Sequence, residues 1–262
     1  MRKIAKLEWS FLKFNLIQSL EYRFNFVLGT IYELIETLTT LLYFYVIISQ
    51  VHSIAGWGMK ETAFVTSFAY FIDAVCTFLF VNGLAAMPSM IENGKLDFLL
   101  LRPTNKQFLL SFCSPNTTQI LNLVVSTILM IGTLVYFDVA VSFIQVLVFF
   151  ISAIFSVILM YSILSIITSS SFWFIRIGGL WSIVFTFHMA ATRPGQIYSK
   201  GLRIIMTLII PGLVVLNVPV NILFSGDIHL LYTQTLPITV GFLVLSVLVF
   251  KKGLEKYTSA GS

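Results

Sequence analysis

Few residues in this chain could do chemistry at depth. Glu33, Glu36, Asp73, Arg176 and His188 are the ionisable side chains that fall inside long apolar stretches. Glu33 and Glu36 stand three apart, hence on one face of a helix, and acids in such a place are costly unless they face protein or water. They could line a polar path, pair with a cation such as Arg176, or sit near an interface or a subunit contact. A proton- or ion-coupled carrier would use Glu33, Glu36 and Asp73. His188 reads as a packed or interfacial residue. No group of His, Cys, Asp and Glu has metal-ligand spacing, and Cys76 and Cys113 have no redox spacing either. No nucleophile stands beside a recognisable base, and no G-x-x-x-x-G-K-[ST] phosphate loop is present. The expectation is a chain that is not an enzyme, with no catalytic residues, no metal and no ATP hydrolysis of its own.

The elements that position these residues follow from composition. The chain has 262 residues, 58% hydrophobic and only 10% charged, with a mean hydropathy of +0.95. A soluble domain carries roughly 25% charged residues. Apolar runs of about 20 residues recur, each long enough to cross a bilayer, and the alternating strands of a membrane barrel are absent. This is the pattern of an all-α polytopic membrane protein. The net charge of +5 does not point to nucleic acid, because the basic residues cluster at the chain ends and in one loop. That placement suits anionic lipid headgroups and membrane orientation. The first 23 residues are too charged for a cleavable signal peptide.

Residues 1–23 read as an amphipathic elbow helix on the cytoplasmic leaflet, with Ile4, Leu7, Phe11 and Phe14 on one face and Arg2, Lys3, Lys6 and Lys13 on another. Residues 24–262 form a single transmembrane domain with apolar blocks at 24–49, 61–86, 119–137, 142–169, 172–191, 204–224 and 230–250. Turns fall at 52–60 and Asp138, and Ser152, Ser156, Ser162 and Ser165 suit close helix packing. The loop 87–107 carries Glu92, Lys95, Asp97, Arg102 and Lys106, with Pro88, Gly94 and Pro103 as breakers. Inside it KLDFLLLR makes about two helical turns and presents Phe98, Leu99 and Leu101 to a partner; an ordinary solvated loop is the other reading. Both basic ends belong in the cytoplasm, so the number of crossings is even and one block does not cross. Pro211, Gly212 and Pro219 mark 204–224 as a re-entrant hairpin on the outside. The charges of Arg193, Lys200 and Arg203 favour keeping 172–191 at the inner face instead.

The order of these parts carries a resemblance. An elbow-like start is followed by ENGKLDFLLLRPTNKQF, then IYSKGLRIIMTLIIPGLVVLNVPVNILFSG, then the tail GLEKYTSAGS. Together they resemble the membrane subunits of ABC-2 type transporters, six-span permeases of ABC exporters, and more closely the branch whose permease subunits work as related pairs. The resemblance covers essentially the whole chain. It implies six spans, with 204–224 as an outer pair of short re-entrant helices whose Pro211, Gly212 and Pro219 gate the path. It also implies that Glu92, Gly94, Lys95, Asp97, Phe98, Leu99, Leu101, Arg102 and Pro103 form the loop where a separate ATPase subunit, holding ATP and Mg, docks. A second permease subunit, related or identical, is implied, as are a cell-membrane location with cytoplasmic termini and the direction of export. The residues do not choose among drugs, lipids, peptides and surface glycans as cargo.

Overall fold

In the computed structural model residues 23–101, 105–174 and 177–257 are described. All of the elbow segment 1–23 except Arg23, together with Arg102, Pro103 and Arg176, lies outside them. Each apolar run is helical, as hydrocarbon requires, since only a helix satisfies its own backbone there. The helices are α1 (Arg23–Val51), α2 (Met59–Glu92), α3 (Leu96–Leu100), α4 (Lys106–Phe112), α5 (Gln119–Tyr136), α6 (Phe143–Phe172), α7 (Gly178–Ala190), α8 (Lys200–Ile209), α9 (Gly212–Ser225) and α10 (Leu231–Lys256). Among the described residues an isolated bridge, Ile54 to Trp57, is the nearest thing to a strand. Five helices are long and apolar enough to cross a membrane, and α8 with α9, bent by 95°, makes a sixth if counted as one broken span. The chain is an all-α, multi-pass membrane protein.

The ends of the helices are set by local chemistry. Ser142 caps α6, its hydroxyl accepting from the Gln145 N–H while the Gln145 side chain accepts from the Ser142 N–H, a capping box. Gly94, at φ +66°, lets the chain leave α2 in the left-handed region, where a residue without Cβ is at no disadvantage. Asn105 caps α4 by accepting from the Phe108 N–H.

Several boundaries differ from expectation. Residues 87–92 are not loop: α2 runs through Pro88 to Glu92, so this proline is no breaker. Gln107, expected in the loop, is buried in α4. The fifth block, 172–191, supplies only the short α7, because the chain leaves regular helix around Trp173 and re-enters it at Gly178. The 204–224 block does bend at Pro211, but Pro219 sits inside an unbroken α9. There Pro219 cannot donate to the Val215 carbonyl one turn back. The Ser156 hydroxyl of α6 donates to it instead, at 2.8 Å, so the helix continues with that carbonyl satisfied.

The core lies where α9 meets α6 and α2. Val214, Val215, Leu216, Val220 and Ile222 are fully enclosed, and Phe64, Phe68, Phe149 and Phe224 stack edge-to-face or tilted beside them. A second, smaller cluster of Met87, Leu96, Leu110 and Phe250 closes the opposite end. α1 and α2 run antiparallel, with Thr40 and Tyr70 in contact across them. The Arg23 end of α1, α3, the C-terminal end of α6 and the C-terminal end of α10 therefore gather at one end of the bundle.

Candidate functional site

Two regions carry the sequence-derived candidates. The first is the end formed by α2, α3, α4 and α10. Leu96, at the start of α3, is 0% exposed and lies among Met87, Leu110 and Phe250. Leu99 packs on the same cluster, half-buried. Leu101 points the other way and is 82% exposed. Of the three anchors expected to face a partner, Leu101 is thus the one the structure leaves open; the side chain of Phe98 lies outside the described residues. Glu92 and Lys95 are exposed beside it, while Asp97 is half-buried. The phenol of Tyr257, just past α10, lies against Asp97, and burial followed by that carboxylate pushes its pKa above the ordinary tyrosine value.

Rigid joints connect α3 and α4 to the long helices. A Cβ built on Gly83 would stand 2.2 Å from the Ser111 carbonyl oxygen and 2.6 Å from that of Leu110, so α2 and α4 touch backbone to backbone. A Cβ on Gly253 would likewise meet the Phe172 ring at 2.2 Å. The Gln107 amide donates to Ser165 Oγ at 2.9 Å, and the Ser111 hydroxyl donates to the Gln107 carbonyl at 2.8 Å. The first contact, with the Ser111 hydroxyl 3.3 Å from the Tyr161 hydroxyl, ties α4 to α6. Further along, α2 makes a π-turn over Thr77–Val81, and the Phe78 carbonyl accepts from the Asn116 N–H at 3.0 Å. π-turns within long helices recur at functional sites.

The second region is a cleft of about 340 Å³ between α1, α2 and the end of α7. Asp73 lines it, at about 21 Å along α2 from Met59 and about 28 Å from Glu92. Asp73 Oδ1 lies 3.0 Å from Nε2 of His188, which is 1% exposed. The two side chains are thus in direct contact between α2 and α7. The sequence offered Asp73 and His188 separately; nothing in their spacing could pair them, because the contact depends on how α7 packs against α2. Glu36 is half-buried on α1. The Glu33 side chain and Arg176 lie outside the described residues, and with them the expected pairing of the two.

The bent pair α8–α9 is held by Asn217, which sequence reasoning passed over. Its Oδ1 accepts from the Gly195 N–H at 2.8 Å, and its amide donates to the carbonyls of Ala191 at 2.6 Å and Arg193 at 3.1 Å. Arg203 donates to the carbonyls of Gly195, Gln196 and Tyr198. One basic residue of this end is therefore occupied in tying the 195–198 loop, which weakens the charge objection to placing it outside. Gly212 lets α9 approach α7, since a Cβ there would stand 3.1 Å from the Phe187 carbonyl oxygen.

The described residues thus form a multi-pass helical bundle with an interlocked short-helix end and, before the last span, a bent helix pair of which α9 is buried. The match to a family described as "ABC-2 family transporter protein" extends over residues 34–261, and the chain belongs to that family. No curated protein and no solved structure matches it.

Proposed function

We propose that this chain is the permease subunit of an ABC exporter, driven by a separate ATPase subunit that docks on the α2–α3–α4–α10 end. The observation carrying this reading is the two-sidedness of α3. Leu96 is sealed among Met87, Leu110 and Phe250, while Leu101 is open. A push received at Leu101, Lys95 and Glu92 would pass through Leu96 and the Gly83 contact into α2, and onward to its π-turn. Lys95, Lys106, Lys251, Lys252 and Lys256 gather at this end, which under the positive-inside rule faces the cytoplasm. That orientation puts both termini in the cytoplasm of the cell membrane and α8–α9 near the outer surface, where the pair would gate the path with Pro211 as its hinge.

A second permease subunit, related or identical, would complete the path. α1 supports this reading, since Tyr32, Ile35, Leu38 and Leu42 are all exposed along it. ATP and Mg belong to the ATPase.

The test is co-purification from mild detergent. An ATP-hydrolysing subunit should accompany the tagged chain, and Leu101→Asp should release it while membrane insertion persists. If the chain purifies alone under several detergents, the proton- or ion-coupled carrier becomes the better reading, and transport surviving ATP depletion would establish it.

A further inference from the structure

The cleft at Asp73 is rich in hydrogen-bond acceptors. Four threonines line it: Thr39, Thr40, Thr66 and Thr192. Each hydroxyl donates to a carbonyl of its own chain turn: Thr39 to Ile35, Thr40 to Glu36, Thr66 to Thr62 and Thr192 to Met189, at 2.7 to 2.9 Å. A hydroxyl whose proton is committed offers its neighbours only lone pairs. Asp73 adds a carboxylate acceptor, fixed from behind by His188. Tyr43 and Tyr70 add phenol rings, the Tyr70 hydroxyl lying 3.4 Å from Thr40 Oγ1. Arg193 puts an exposed guanidinium on the same wall. A volume of about 340 Å³ lies within the range of small-ligand sites, about 300–1,000 Å³.

We propose that this cleft binds a zwitterion, with an ammonium group against Asp73 and the threonine oxygens and a phosphate or carboxylate against Arg193. An ammonium group supplies donors where Asp73 and the threonines supply acceptors, and Arg193 on the same wall offers a cation to the ligand's anionic end. A bare anion would meet Asp73 and the threonine lone pairs, and a bare cation would meet Arg193. The same chemistry occurs in free amino-phosphates and in the headgroups of zwitterionic lipids. The inference rests on the permease reading only in taking the bound zwitterion as cargo.

The experiment uses the full chain in detergent, without any ATPase, and radiolabelled phosphoethanolamine as the probe. Saturable binding is expected. Ethanolamine should compete about tenfold more weakly, as loss of one charge-assisted contact implies, and inorganic phosphate should not compete. Asp73→Asn should abolish binding. Arg193→Gln, a change at an exposed side chain, should weaken phosphoethanolamine about tenfold while leaving ethanolamine no weaker, since it loses a like charge. Stronger competition by lyso-phosphatidylethanolamine than by unlabelled phosphoethanolamine would assign the ligand to lipid; equal or weaker competition would assign it to a free solute. Absence of saturable binding by both molecules, equal competition by inorganic phosphate, or equal binding by monodisperse Arg193→Gln protein would overturn the proposal. Because no ATPase is present, a negative result here leaves the docking of an ATPase untouched.

Discussion

The two regions are built by opposite means. At the α3 end, glycines and large apolar side chains remove free space: Gly83 brings two backbones together, and Leu96 has no exposed surface. At the Asp73 cleft, hydroxyls, a carboxylate and a guanidinium surround a cavity instead, with His188 buried against Asp73. Close packing transmits displacement, because interiors at such density do not deform gradually. The cleft does the reverse, keeping room and a few acceptors for something to enter. α2 joins the two, with its π-turn between Asp73 and Gly83. The contrast teaches where each kind of substitution should act: volume changes at one end, changes of polarity in the other.

The largest effect is expected from Gly83→Val. Its side chain has no space beside the Ser111 and Leu110 carbonyls, so α4 must leave α2; the check is a fall in Tm and loss of monodisperse protein on gel filtration. Next is Leu96→Ala, which opens a cavity beside Met87 and Phe250 and should cost about 2–5 kcal/mol, read as Tm in detergent. Asn217→Ala strands the Gly195 N–H and the Ala191 and Arg193 carbonyls. It should cost about 1–3 kcal/mol, with faster hydrogen exchange confined to residues 191–199 rather than to the α3 end. Ser156→Ala leaves the Val215 carbonyl unbonded beside Pro219 and should cost about 1 kcal/mol. A Gly83 variant as stable as the parent, or an Asn217 variant that loosens α3, would erase the distinction between the regions.

Much of this division was legible in the residues. The apolar runs named the long helices, Gly94 bounded the short α3, and Pro211 marked the bend before α9, whereas the end of α2 was read at Ala86 and lies at Glu92. The prolines at 88 and 219 misled, because a single-chain reading treats a missing N–H as a break. Whether a helix survives depends on who satisfies the freed carbonyl, and for Val215 that is a serine on another helix. The serine run of α6 was visible as a packing face, but not as the partner of a proline. The same limit hid the Asp73–His188 contact and the role of Asn217, whose partners come from distant turns. It also hid the sidedness of α3, since spacing alone could not say that Leu96 turns inward while Leu101 turns out.

Leu101 and Tyr136 offer the most direct test of the docking reading. Both are 82% exposed, and they lie at opposite ends of the bundle. A photo-cross-linking amino acid placed at each position in intact cells would sample the two surfaces equally. The account predicts a cross-link from position 101 to an ATP-hydrolysing subunit and none from position 136. A cross-link to that subunit from 136, or from neither position, would contradict it.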